Sequence, residues 1–131
     1  MSFVVDTDIA SWYLKGERRV QNRFMQYWGG VHVSIVTVAE LYTWAYQDSG
    51  TRRLTALSEL LRGVRILPLN ELIAQQSGQM RASMLVRGFG IATPDALIAA
   101  TALAHDFTLV THNLRHYGNV PGLRIADWFV P

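Results

Sequence analysis

The sequence predicts an α/β protein with a mainly parallel central sheet of four to five short strands flanked by helices. Short apolar runs alternate with longer segments of helical periodicity, and glycine or proline separates many of them. Half of the 131 residues are hydrophobic and 17% are charged, which is typical of a folded protein with a full core. No repeat or linker divides the chain, so we expect one domain over residues 1–131.

The predicted strands follow from short apolar or β-branched runs. Residues 2–5 (SFVV) end at Asp6 and are typical of a strand that is buried on both faces. The remaining predicted strands are residues 31–35, 65–69, 108–111 and 124–125. Pro68 marks the 65–69 segment as an edge strand or a strand end, because proline cannot donate to a β ladder.

The predicted helices carry apolar residues at helical spacing, and several end at glycine. They span residues 7–14, 17–28, 37–47, 51–62, 70–87 and 93–104. Thr7 or Asp8 is the expected cap of the first helix, and Thr93 that of the last, with Pro94 at its first helical position. This last helix is apolar nearly all round, so we expect it to be buried. Residues 88–90 (GFG) form a loop before it.

Composition excludes some functions and permits another. The chain has no cysteine, which excludes a disulfide framework, thiolate zinc sites and a cysteine nucleophile. The net charge is +2, and 11 of the 12 basic residues are arginine, whose planar fork suits phosphate. A nucleic-acid partner is therefore permitted, although solvated helix surfaces explain the same charges. No apolar run has the length of a membrane helix and no secretory signal is visible, so we expect a cytoplasmic protein without a membrane partner.

Three acids are expected at the carboxyl edge of the sheet, where parallel sheets bind their ligands. Asp6 follows the first strand, Glu40 lies in the first turn of the helix after the second strand, and Asp95 lies in the first turn of the buried helix. Asn113, just past the fourth strand, belongs there as well. Each acid alone has an ordinary explanation: an Asx-type turn for Asp6, a capping box with Thr37 for Glu40, and a favourable helix-dipole charge for Asp95.

The combination of these acids indicates a metal ion. Three carboxylates in a partly buried cleft repel one another unless a cation offsets their charge. Oxygen ligands without cysteine select Mg²⁺ or Mn²⁺, and such an ion is suited to phosphodiester hydrolysis. Our hypothesis is that Asp6 and Asp95 hold the ion and that Glu40 completes the site directly or through water.

Four segments resemble the motifs of the PIN domain, in the order and spacing of the VapC-type toxins of bacterial toxin–antitoxin modules. They are residues 5–8 (VDTD), 37–41 (TVAEL), 94–100 (PDALIAA) and 109–113 (LVTHN). The resemblance implies a three-layer PIN-like fold and an endoribonuclease that depends on Mg²⁺ or Mn²⁺. It also implies an RNA substrate, with transfer RNA as a family-level expectation, inhibition by a VapB-like antitoxin, and a homodimer.

Carried over by position, the resemblance makes Asp6, Glu40 and Asp95 the acidic metal site. The family's fourth acidic position falls at Asn113, which supplies no charge but can orient a water or a ligand. The family's supporting polar positions are matched by Thr7, Asp8 and Thr111.

Several basic side chains are candidates for contacts with RNA phosphates, with surface solvation as the alternative interpretation. The arginines are Arg81, Arg87 and Arg115. His112 and His116 are interpreted as surface or phosphate contacts, because Pro121 and the glycines nearby argue against a helix there.

Two other functions fit parts of the sequence. Asp6-Thr7-Asp8 after a strand resembles the site of haloacid-dehalogenase-like phosphatases, but those use a glycine where Ile9 stands here and a lysine deeper in the chain, and Lys15 is the only lysine. The alternative that stays open is a catalytically inactive PIN-like binding module. The presence of all three acids argues against it.

Overall fold

The sheet contains five parallel strands. The structure is a computed structural model that describes residues 1–131. The strands are β1 (Phe3–Val5), β2 (Val31–Ser34), β3 (Arg65–Leu67), β4 (Thr108–Val110) and β5 (Ile125–Ala126). Their order across the sheet is β3-β2-β1-β4-β5. The predicted parallel α/β class is confirmed, and β3, which precedes Pro68, is an edge strand as predicted.

Helices cover both faces of the sheet. They are α1 (Thr7–Leu14), α2 (Arg18–Gln26), α3 (Ile35–Tyr46), α4 (Arg52–Gly63), α5 (Glu71–Val86), α6 (Thr93–His105) and α7 (Leu114–Tyr117), with a 3₁₀ turn at Trp28–Gly30. Apolar residues of α1 to α4 form one core cluster, whereas those of α5, α6 and α7 belong to a second. The arrangement has three layers, as the PIN resemblance implies.

The central strand contributes to both core clusters. Phe3 and Val5 belong to the cluster under α1 to α4, and Val4 belongs to the cluster under α5 and α6. Successive side chains of a strand point to opposite faces, so β1 is buried on both sides. This burial explains the continuous apolar run and places the residue that follows it at a fixed position.

The sequence predicted Thr7 or Asp8 as the cap of the first helix, but the cap is Asp6. Asp6 has an extended backbone, and its Oδ1 accepts a hydrogen bond of 2.8 Å from the amide of Ile9. The strand ends at Val5, so the chain enters the helix directly and the first residue outside the strand becomes the cap.

The helix after β2 begins two residues earlier than predicted. Ser34, the last residue of β2, caps α3 by accepting a hydrogen bond of 3.1 Å from the amide of Val36. Thr37 therefore lies inside the helix and is not its cap. Glu40 is the sixth residue of α3 and lies in the second turn rather than the first. The capping-box interpretation of Thr37 and Glu40 is wrong.

Two further helix predictions need correction. Thr93 is the first residue of α6, and Ala92 is its cap without a side-chain hydrogen bond, so Pro94 is the second helical residue. The predicted 17–28 helix ends at Gln26, and the 3₁₀ turn follows it.

Candidate active site

The four residues predicted for the site line one cavity, which we call the acidic cavity. It has a volume of about 210 Å³ and lies where the strand order reverses, beyond the carboxyl ends of β1 and β4. Its lining residues are Asp6, Thr7, Asp8, Glu40, Asp95, Asn113 and Tyr117. Four of them are carboxylates and none is lysine, arginine or histidine. The fold thus brings together acids that lie far apart in the sequence.

Asp6 is the most deeply buried acid of this cavity. Asp6 is only 4% exposed, and burial raises the pKa of its carboxyl group from 3.8 to about 6. Hydrogen bonds from the Ile9 amide and the Thr111 hydroxyl lower the pKa, whereas the charges of Asp8 and Asp95 raise it further. The ionised Asp6 side chain therefore lacks a compensating cation in the protein alone.

Glu40 is held by a threonine from another helix. The hydroxyl of Thr7 donates a hydrogen bond of 2.6 Å to Oε1 of Glu40, and Oγ1 of Thr7 lies 3.0 Å from Oγ1 of Thr37. Because a hydroxyl has one proton and Thr7 gives it to Glu40, Thr37 must donate to Thr7. Thr37 is fully buried, so this chain of hydroxyls orients Glu40 from the core outward.

Asp95 is held at both carboxylate oxygens. Nε2 of His116 lies 2.9 Å from Oδ2, and the hydroxyl of Tyr117 donates a hydrogen bond of 3.1 Å to Oδ1. An ionised carboxylate only accepts, so Nε2 of His116 carries the proton of that bond. Burial, together with the charges of Asp95 and Asp6, raises the pKa of Tyr117, which keeps its hydroxyl protonated as a donor.

These two partners of Asp95 were not predicted from the sequence. His116 was expected to be a surface or phosphate contact outside any helix, but His116 and Tyr117 lie on α7. Oδ1 of Asn113 caps this helix by accepting from the amide of His116 at 3.3 Å. The available signal was the asparagine three residues before His116, which is a common helix-start pattern. His112, in contrast, is exposed and hydrogen-bonded to Asp127.

Removing the Tyr117 hydroxyl is expected to weaken divalent-ion binding. Tyr117→Phe leaves Oδ1 of Asp95 without its protein donor, and losses of this kind weaken metal affinity by about 10-fold or more. Calorimetric titration with Mn²⁺ measures the effect. Tyr46→Phe, at an exposed tyrosine of α3, is the matched control. His116→Ala should weaken binding similarly and His116→Gln less, because glutamine keeps a donor. An unchanged Mn²⁺ affinity in Tyr117→Phe would contradict this role.

The candidate phosphate contacts occupy different places. Nε of Arg81 donates a hydrogen bond of 2.7 Å to the carbonyl of Ile91, and Arg81 does not line the acidic cavity. Arg87 is exposed at the end of α5, and Arg115 is exposed on α7, two residues after the cap of that helix. The phosphate-binding role of all three stays a prediction.

The donor set of the acidic cavity suits a hard divalent ion. Its polar atoms are oxygens of carboxylates, hydroxyls and one amide, with a single amide nitrogen among them. No three acidic or histidine side chains are grouped so that they could hold an ion as they stand. Mg²⁺ commonly binds one or two carboxylates and keeps several waters, so Asp6 and Asp95 with water fit its needs.

The three-layer parallel sheet and the acidic cavity at its carboxyl edge define the class of PIN-domain proteins. The family model of the PIN domain matches residues 3–120. A tRNA(fMet)-specific endonuclease VapC from Salmonella typhimurium is 28% identical, and the ribonuclease VapC2 from Haemophilus influenzae is 31% identical, each over 98% of both chains. The DNA-bound VapBC complex from Salmonella typhimurium contains a chain that superposes with a TM-score of 0.91 at 27% identity, covering 98% of both chains.

This chain belongs to the PIN-domain family and, within it, to the VapC ribonucleases. The family resemblance and the fold predicted from it are confirmed. None of its helices is long and apolar enough to cross a membrane.

Proposed function

We propose that this protein is the toxin of a type II toxin–antitoxin module and a metal-dependent endoribonuclease. The observation that carries the proposal is the acidic cavity, which is lined by Asp6, Glu40 and Asp95 and to whose lining no lysine or arginine contributes. VapC ribonucleases that match nearly the whole chain support the same activity.

Asp6 and Asp95 would hold Mg²⁺ or Mn²⁺, with Glu40 completing the site directly or through water. The ion would lower the pKa of water and polarise the scissile phosphate. Thr7 and Thr37 keep Glu40 turned toward the cavity, and His116 and Tyr117 keep Asp95 there.

Water is the nucleophile in this proposal, and the 2′-hydroxyl of RNA is not used. Water loses a proton as its oxygen forms a bond to phosphorus, the bond from phosphorus to the 3′-oxygen breaks, and the 3′-oxygen takes up a proton. The products are a 5′-phosphate and a 3′-hydroxyl.

The substrate and partners follow from the relatives. Transfer RNA is the proposed substrate class, since the relative from Salmonella typhimurium is named a tRNA(fMet)-specific endonuclease. A VapB-like antitoxin is the proposed inhibitor, since VapBC complexes are among the similar structures. We also propose that the protein forms a homodimer and acts in the cytoplasm, where its RNA substrate is found.

Removal of divalent ions is expected to abolish cleavage. EDTA should stop hydrolysis of a tRNA pool, and Mn²⁺ or Mg²⁺ added in excess should restore it, because the cavity carboxylates cannot activate water without a cation. Ligation that requires a 5′-phosphate identifies the product ends. Cleavage that continues in EDTA, or that leaves 2′,3′-cyclic phosphates, would contradict the proposed chemistry.

An inactive binding module predicts a different result. Calorimetry with Mn²⁺ should show binding by the parent protein and weaker binding by Asp6→Asn if the site is functional. A module that only binds its partner should show no Mn²⁺ binding that depends on Asp6.

A further inference from the structure

A second cavity adjoins the acidic cavity, and we call it the loop cavity. It has a volume of about 260 Å³ and is lined by the loop residues 88–90 and by Asn113, Arg115, His116 and Asn119. Asn113 lines both cavities, so they are neighbours. The loop cavity contains Arg115 but no carboxylate, whereas the acidic cavity contains four carboxylates but no arginine. A phosphodiester in front of the acids would therefore meet positive charge on this side.

Phe89 presents an aromatic ring at this cavity. The residue is 39% exposed and belongs to neither core cluster, so its ring is not part of the hydrophobic core. Its amide donates a hydrogen bond of 2.8 Å to the carbonyl of Met84 in the core, and Gly88 supplies the positive φ of 85° that the turn requires. The ring is thus held at a defined place.

One arginine lies near this ring, and a second lines the same cavity. The guanidinium of Arg87 lies 5.7 Å from the centroid of the Phe89 ring, and its Nη2 donates to the carbonyl of Asn119 at 3.4 Å. Arg87 and Arg115 form no ion pair, whereas Arg19 and Arg124 are paired with carboxylates. Their charge is therefore available to a ligand.

We propose that the loop cavity binds the nucleotide next to the scissile phosphate of single-stranded RNA. The base stacks on Phe89, and the adjoining phosphate is bound by Arg115 with the help of Arg87. Exposed aromatic rings beside arginines are the usual means of holding single strands, because every base has a face that can stack. This inference rests on the proposed nuclease function and adds to it a place for the substrate.

Binding measurements in the Asp6→Asn background test this subsite without cleavage. The probe is a fluorescent, single-stranded oligoribonucleotide of about ten nucleotides, and anisotropy gives its affinity. Phe89→Leu keeps an apolar side chain but cannot stack, so binding should weaken by about 5- to 100-fold. Phe89→Tyr keeps the ring and should bind like the parent.

The contribution of positive charge to binding is tested by substituting one arginine of the loop cavity and one control arginine. Arg115→Ala should weaken binding and reduce the dependence on salt by about 0.7 in the logarithmic slope, which corresponds to one phosphate contact on a single strand. Arg62→Ala is the control, because Arg62 is exposed at the end of α4, the helix that precedes the edge strand β3. It should leave both quantities unchanged.

Probes that lack one base at successive positions complete the test. Removal of the base that stacks on Phe89 should weaken binding by the parent. With that probe, Phe89→Leu should cause no further loss of affinity. Equal binding by parent and Phe89→Leu, or equal weakening by Phe89→Leu and Phe89→Tyr at an unchanged melting temperature, would overturn the subsite. Cleavage by the Asp6→Asn variant would instead overturn the nuclease proposal, so the two failures are distinguishable.

Discussion

Asp6→Asn and Asp95→Asn are each expected to reduce RNA cleavage by about 10³-fold or more, with the fold retained. Both substitutions remove a charge from the acidic cavity while keeping the size of the side chain. Asparagine at position 6 can still cap α1, because its side-chain oxygen accepts from the Ile9 amide as Asp6 does. Cleavage of a tRNA pool in Mn²⁺ and the circular dichroism of each variant measure the two parts of this prediction.

The matched control is Glu59→Gln. Glu59 is an exposed acid of α4 without an ion pair, so its loss removes a carboxylate far from the cavity. It should cleave like the parent. Undiminished ribonuclease activity in both purified aspartate variants would refute the site.

The same Asp6→Asn substitution is expected to stabilise the protein when divalent ions are absent. The pKa of Asp6 is raised from 3.8 to about 6 in the folded state, so the fold favours the protonated carboxyl. The destabilisation by ionised Asp6 is absent below pH 4, grows between pH 4 and 6, and is complete above pH 6. At neutral pH the variant should be more stable by about 2–3 kcal/mol.

Urea unfolding in EDTA at pH 4 and at pH 7.5 measures this difference. The gain in the free energy of unfolding should be present at the higher pH and nearly absent at the lower. Mn²⁺ should then stabilise the parent by about 2.7 kcal/mol at a hundredfold excess over its dissociation constant, and the variant less. Equal stability of both proteins at pH 7.5 in EDTA would show that burial of Asp6 carries no penalty.

The position of Asp6 was predictable because it depends on a short stretch of sequence. The apolar run that precedes it is continuous since β1 is buried on both faces, and the chain must leave the sheet where that run ends. Asp95 was similarly placed by the proline and the apolar helix around it. For these two residues the local pattern and the tertiary environment agree.

Glu40 shows where a local pattern misleads. Ser34 and Thr37 are both good helix caps, and the sequence does not decide between them. In the sheet, Ser34 pairs with Leu67 as the last residue of β2, and the helix starts directly after it. Glu40 is then too far into the helix for a capping box and instead accepts from Thr7, a residue of another helix.

By itself, the sequence determined the parallel α/β class, the order of the elements and the carboxyl edge at which the acids would gather. Hydrophobic periodicity and turn residues act over a few positions, so they can be recognised without the fold. Only the tertiary structure decided what holds each acid. His116 and Tyr117 reach Asp95 from a helix of four residues, too short to be stable alone, which exists because Tyr117 is buried in the core. Contacts of that kind depend on packing between distant segments, which a local pattern does not encode.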